Sequence, residues 1–143
     1  MERGDLVLMV LAAGEGAPHT PVQVQKLLFL VDRRLGPRIS GPYFDFKPYF
    51  YGPFDREVYV ELETLAGRRL LEICSEGTRR SYRLTSDGQQ KGDRLLSELA
   101  PEMAPYLRSL SSAVRRLRFG ELVSAIYRAY PEMRVNSVFQ SSE

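Results

Sequence analysis

Residue types that make and break bonds are scarce in this chain of 143 residues, which holds one histidine, His19, and one cysteine, Cys74. One thiol forms no internal disulfide, and neither multi-cysteine nor paired-imidazole metal sites can be assembled from this set. No Ser-His-acid or Cys-His grouping is in sight, so nucleophilic catalysis has little to build on. His19 precedes a helix cap in a polar turn, and Cys74 falls on a predicted strand as a small inert residue. The expectation is a non-enzymatic protein with no catalytic residue, no metal and no cofactor. Anion recognition is the chemistry in supply: of 20 cations only Lys26, Lys47 and Lys91 are lysine and the rest are arginine. The arginine fork takes phosphate and carboxylate bidentately. Codon usage in a GC-rich genome gives the same bias, so position matters more than number. The net charge is a modest +2.

The cations that stand together are Arg68 and Arg69, then Arg79, Arg80 and Arg83. From 68 to 94 there are seven cations against four acids. The segment carrying them, 71–85, reads as a two-stranded wing. Leu71 and Ile73 alternate with Glu72 and Cys74, Glu76-Gly77-Thr78-Arg79-Arg80 supplies a turn, and Tyr82 and Leu84 alternate with Ser81, Arg83 and Thr85. A helix precedes it: Asp55 is its cap, Phe54 and Tyr59 stand at the staple positions across that cap, and Val58, Leu62 and Leu65 form the apolar stripe. Gly67 breaks that helix. Thr85 caps a helix after the wing, in which Gly88 and Gly92, one turn apart, allow close approach of a neighbouring backbone, and Pro101 ends it near Ala100. Helix, hairpin, helix predicts a mainly α fold with a small β-hairpin (α+β), a winged helix-turn-helix with additional C-terminal helices.

Ahead of the wing, Asp5 can cap a helix that runs to about Ala13 and is apolar nearly all round, hence buried. Residues 14–18 break it. Thr20-Pro21-Val22-Gln23 is a capping box with proline at the first helical position, and Val24, Leu27, Leu28 and Val31 recur at the helical period up to Gly36-Pro37. Residues 43–54 hold seven of the fifteen aromatics. They read as an extended edge segment, demoted by Pro48, that seals the core; the alternative is a platform for unpaired bases, worth about 1–3 kcal/mol per ring. Packing is favoured because no basic groove accompanies them. Met103, Leu107, Leu110, Val114 and Leu117 form a seam on a 103–117 helix, for which pairing inside the fold and a homodimer contact stay open. A last helix carries Phe119, Leu122, Val123, Ile126, Tyr127 and Tyr130. Residues 1–135 are read as one domain, and 136–143 as a flexible tail. The longest early apolar run, 6–13, falls short of the roughly 20 residues that span a bilayer, so no membrane contact and a cytoplasmic location are expected.

In a winged helix-turn-helix the helix before the wing enters the major groove. Its outward face holds Arg56, Val60 and Glu63, flanked by Glu57, Glu61 and Thr64, and is acidic. On a double-stranded DNA reading, Arg68, Arg69, Arg79, Arg80 and Arg83 hold phosphate while Arg56, Val60 and Thr64 approach bases. The bland reading is a solvated hairpin whose arginines pair with Glu72 and Glu76. On a protein-partner reading, Glu57, Glu61 and Glu63 with Tyr49 and Tyr51 dock a basic surface.

Three segments, Gln23-Val24-Gln25-Lys26-Leu27-Leu28-Phe29-Leu30, Tyr51-Gly52-Pro53-Phe54 and Val58-Tyr59-Val60-Glu61-Leu62, resemble the Panacea (SocA-like) antitoxin domains and a set of YwgA-like bacterial proteins. The match covers roughly residues 5–70. Tyr82-Arg83-Leu84-Thr85-Ser86-Asp87-Gly88 resembles the wing of PadR- and MarR-type regulators. The first resemblance implies a protein partner such as a toxin, or an adaptor role in proteolysis; the second implies a transcriptional regulator on duplex DNA. The clear wing departs from the antitoxin pattern, and the acidic third helix departs from the regulators.

Overall fold

A computed structural model describes residues 1–139. Its centre is α1 (Arg3–Ala12), where no residue from 6 to 13 is more than 2% exposed. A helix apolar around its whole circumference needs neighbours on every side. It finds them in α2 (Pro21–Leu35), α3 (Glu57–Gly67), α4 (Ser86–Ser97) and α5 (Met103–Arg116). Glu2, not Asp5, is the cap of α1. Asp5 sits in the first turn, and its carboxylate accepts the Glu2 N–H at 3.0 Å. The capping box of α2 forms as read: Thr20 Oγ1 accepts the Gln23 N–H and Gln23 Oε1 accepts the Thr20 N–H at 2.9 Å.

Residues 71–84 form an antiparallel ribbon of β3 (Leu71–Glu76) and β4 (Arg79–Leu84), in register from Leu71 opposite Leu84 to Glu76 opposite Arg79. Leu71, Tyr82 and Leu84 turn into the core while Cys74 and the arginines stay exposed. His19 joins the free edge of β4. Its N–H donates to the Tyr82 carbonyl at 2.9 Å and its carbonyl accepts the Tyr82 N–H at 2.8 Å. The expected polar turn is therefore a buried bridge, with His19 1% exposed, because the backbone pairing pulls the ring beneath the ribbon.

Thr85 caps α4 by accepting the Gly88 N–H at 3.1 Å, and its hydroxyl donates to the Arg69 carbonyl at 2.9 Å, tying the ribbon to the end of α3. The two glycines of α4 make the close approach that their spacing predicts. A Cβ on Gly88 would stand 1.9 Å from the Leu70 carbonyl oxygen, and one on Gly92 would stand 2.8 Å from that of Leu8. Helix α4 stops at Ser97, a few residues before Ala100.

Residues 43–54 are not a single edge strand. They hold a short hairpin, β1 (Lys47–Tyr49) and β2 (Gly52–Phe54), with Pro48 opposite Pro53. Gly52, at φ +102, takes a left-handed conformation that favours glycine and lets the chain reverse. The facing prolines bring no N–H to the ladder, which keeps it short. The aromatics divide accordingly: Phe44 is buried, Phe46 and Phe54 are half-buried, and Tyr49, Phe50 and Tyr51 at the tip are exposed.

The α5 seam is used inside the fold. Met103, Leu107, Leu110 and Val114 are buried where α5 meets α1, α2 and α4, with Leu117 half-buried, so this face is not free for a second copy. Helix α6 (Phe119–Ala129) buries Leu122, Val123, Ile126 and Tyr127. Residues 136–139, read as part of a flexible tail, are held: the Val138 N–H donates to the Phe50 carbonyl at 3.0 Å and Asn136 Nδ2 to that of Pro48 at 3.1 Å. Residues 140–143 of that expected tail lie outside the described residues. Among the described residues no helix is long and apolar enough to cross a membrane.

Candidate nucleic-acid interface and aromatic pocket

The arginines of the ribbon and the helix end are presented outward. Arg68, Arg69, Arg79, Arg80 and Arg83 are all exposed. The register sets Arg83 across from Glu72 and Arg79 across from Glu76. Even so, among the described residues no carboxylate lies within 4 Å of any of the five; the ion pairs fall at Arg33, Arg38, Lys47 and Arg108 instead. The pairing with Glu72 and Glu76 considered for a solvated hairpin is not made.

The end of α3 differs from its sequence reading. Gly67 is the last helical residue, and Arg69 takes the left-handed conformation, φ 62, that usually falls to glycine after a helix. The Leu70 N–H returns to the Leu65 carbonyl and the Arg69 N–H to that of Ala66, both at 3.0 Å. This doubly bonded helix stop forces an L side chain into a disfavoured region, at a cost of about 1–2 kcal/mol. Strain of this kind persists only where its surroundings enforce it. The sequence carried no glycine there to mark it.

On α3 itself, Val58, Leu62 and Leu65 are buried, while Arg56, Val60, Thr64, Glu57 and Glu63 are exposed, as the stripe requires. The Thr64 hydroxyl donates to the Val60 carbonyl at 2.9 Å, so it is engaged within its own helix. Glu61 is half-buried. Its Oε2 lies 3.3 Å from where a Cβ on Gly4 would stand, beside the first turn of α1, whose N–H dipoles favour a carboxylate. Glu57 and Glu63 are therefore the carboxylates left on the outer face.

A second locus gathers where α2, the β1–β2 hairpin and the start of α3 meet. Gln25 Nε2 donates to the Asp55 carbonyl at 2.9 Å and its Oε1 accepts the Asp55 N–H at 3.0 Å, fixing the entry to α3. The cap position of α3 falls on Arg56, not Asp55; Asp55, one residue earlier, still accepts the Glu57 N–H on Oδ1 at 2.9 Å, and Phe54 meets Tyr59 edge-on at 5.7 Å, the expected staple. Lys26 Nζ donates to the Pro53 carbonyl at 3.2 Å. Burial pushes the Lys26 pKa down to about 8. The three motif segments thus converge in space. Beside them lies a cavity of about 260 Å³, walled by the exposed aromatics of the hairpin and by Phe119. Tyr49 stacks on Phe50 at 4.3 Å, and Tyr51 meets Phe119 at 5.2 Å. The apolar stripe of α2 read from the sequence does not include Gln25 and Lys26, and the hairpin that covers them comes from a distant part of the chain.

His19 is a third unusual group. Neither ring nitrogen reaches a hydrogen-bond partner among the described residues. Burial first, and the Arg115 charge second, push its pKa down to about 4, opposed in part by the nearby Ala17 backbone. The imidazole is neutral at pH 7.

The chain matches no known protein family, no curated protein and no solved structure at a significant level.

Proposed function

We propose that this chain is a non-enzymatic winged-helix transcriptional regulator that binds duplex DNA through its ribbon and the adjoining end of α3. One observation carries the reading: five exposed arginines without carboxylate partners among the described residues, on a two-stranded ribbon and the helix stop from which it leaves. The order α1, the His19 bridge, α2, α3, β3, β4 supports a winged helix, although the α2–α3 connection contains a hairpin where a helix-turn-helix has a short turn. Unpaired arginine forks suit phosphate, and a ribbon can follow the minor groove. Arg56 and Val60 are the α3 positions open to bases, while Glu57 and Glu63 weaken the major-groove contact and leave the ribbon as the principal one. The reading carries a cytoplasmic location with it.

Gel-shift titration of a mixed-sequence duplex against salt tests this. Each phosphate contact adds about 0.9 to the slope of log affinity on log salt, so replacing Arg79 and Arg80 with alanine should flatten it by up to about 1.8. No shift of the duplex even at low salt would end the DNA reading.

A second reading has its own observation. Tyr49, Phe50 and Tyr51 stand 44–47% exposed beside Phe119, an aromatic patch of the kind that anchors protein contacts. With the Panacea-like resemblance, this supports an antitoxin-like or adaptor role toward a basic protein partner. Co-purification of a co-encoded partner, lost on Glu57→Lys with Glu63→Lys, both exposed, is the expected result; retention would count against it.

A further inference from the structure

Lys26 sits where a lysine is costly. Its side chain is 3% exposed, and among the described residues the Pro53 carbonyl is its single acceptor and no carboxylate lies within 4 Å of it. An ammonium carries three donors, and a buried cation without a counter-charge is strongly disfavoured. Lysine normally avoids this by extending its stem to water. Here the hairpin closes over it, with the site of a Cβ on Gly52 only 3.5 Å from Lys26 Cε.

The cavity of about 260 Å³ that Lys26 helps to line is otherwise mostly aromatic, with Tyr49, Phe50, Tyr51, Phe54, Tyr59 and Phe119 in its wall. The Gln25 amide beside it is already committed, since both its ends are held by the Asp55 backbone. We propose that this cavity is a binding site for a small aromatic carboxylate, its ring against the aromatic walls and its carboxylate on Lys26 Nζ. Size fits: a cavity of about 150 Å³ accepts benzene, so this one holds a ring with a short acidic arm. Charge fits as well. A carboxylate brings the missing counter-charge and accepts from the unused donors on two oxygens, while an alcohol offers one neutral acceptor and no charge. A phosphate is a poorer match, for one cation in an aromatic wall offers no cluster of donors for its oxygens. The site is separate from the ribbon arginines and does not depend on DNA binding.

The test is calorimetric titration of the whole chain with benzoate, phenylacetate and indole-3-acetate, each against its uncharged alcohol. At least one acid should bind about tenfold or more tighter than its alcohol, the worth of a charge-assisted hydrogen bond. Lys26→Met, which keeps the stem and removes the charge, should abolish that difference while leaving alcohol binding in place. Equal affinity of acid and alcohol, no binding of any of the three acids at about 10 mM, or undiminished acid binding to Lys26→Met would each overturn the proposal. The acid-against-alcohol comparison in the native sequence decides the matter even if the variant fails to fold.

Discussion

Acidification should destabilise this protein through a single side chain. His19 is 1% exposed, and burial lowers its pKa to about 4 from an ordinary 6.5. The unfolded chain therefore binds the proton more tightly than the native one. Stability is fully present above about pH 6.5 and is lost progressively as the pH falls toward 4. At pH 5 the loss from this one group is about 2 kcal/mol, and its limit below pH 4 is about 3 kcal/mol, at 1.36 kcal/mol per pH unit. Carboxylates also titrate at the lower end, so the comparison needs a variant. His19→Leu keeps the backbone bridge to Tyr82 and removes two unpartnered ring nitrogens. At about pH 7.5 it should be at least as stable as the native chain, since replacing unsatisfied buried polar atoms with apolar ones is neutral or favourable. Urea unfolding at about pH 7.5, 6 and 5 should show the variant losing about 2 kcal/mol less over the range. With only one histidine in the chain, its proton resonance can be followed directly by NMR. A midpoint at or above 6.5, or parallel stability profiles for the two proteins, would refute the reasoning.

The glycines of α4 should be intolerant: Gly88→Ala drives a methyl into the Leu70 carbonyl and should cost about 3 kcal/mol or more in urea unfolding, whereas Gly67→Ala, with open space around it, should gain about 0.5–1 kcal/mol. A Gly88→Ala loss below about 1 kcal/mol would mean that α4 does not lie against that carbonyl. Arg69→Gly relieves the left-handed strain and should raise stability by about 1 kcal/mol while weakening duplex binding in the gel shift; a change in the same direction for both would contradict one assignment. The Lys26 pKa is lowered to about 8, so stability should rise as the pH climbs from about 8 to 10.5, where the unfolded chain still holds the proton. Lys26→Met should flatten that rise and, without ligand, leave the protein about as stable or more stable near pH 7.

Local chemistry made much of this fold legible. The alternation in 71–85 and the Thr20 and Thr85 caps each depend on neighbours close in the chain, and the spacing of Gly88 and Gly92 marked a close approach without naming its partners; all stand where the sequence puts them. The mainly helical fold with a small antiparallel ribbon follows from them. Long-range closure was illegible. Gln25 and Lys26 are buried by a hairpin some thirty residues later in the chain, and His19 by a strand further still. Residues 43–54 gave aromatic weight without a period, so neither the reversal at Gly52 nor the division of the rings between core and tip was readable. At the candidate interface, the exposure of Arg79 and Arg80 follows from the ribbon, while the left-handed turn at Arg69 had no glycine to announce it.

The hydrogen bonds from Asn136 and Val138 to the tip of the first hairpin have a consequence for biosynthesis. The ribbon and helices α2, α3 and α4 can pack on α1 once the first hundred or so residues have left the ribosome, because these partners are already translated, and α5 joins them next. The Lys26 chamber is different: Phe119 in its wall, and the strap at 136–139 that steadies its rim, are translated after the ribbon. A nascent chain therefore completes its arginine-bearing ribbon first, and the wall around Lys26 closes only after Phe119 and the 136–139 strap have emerged.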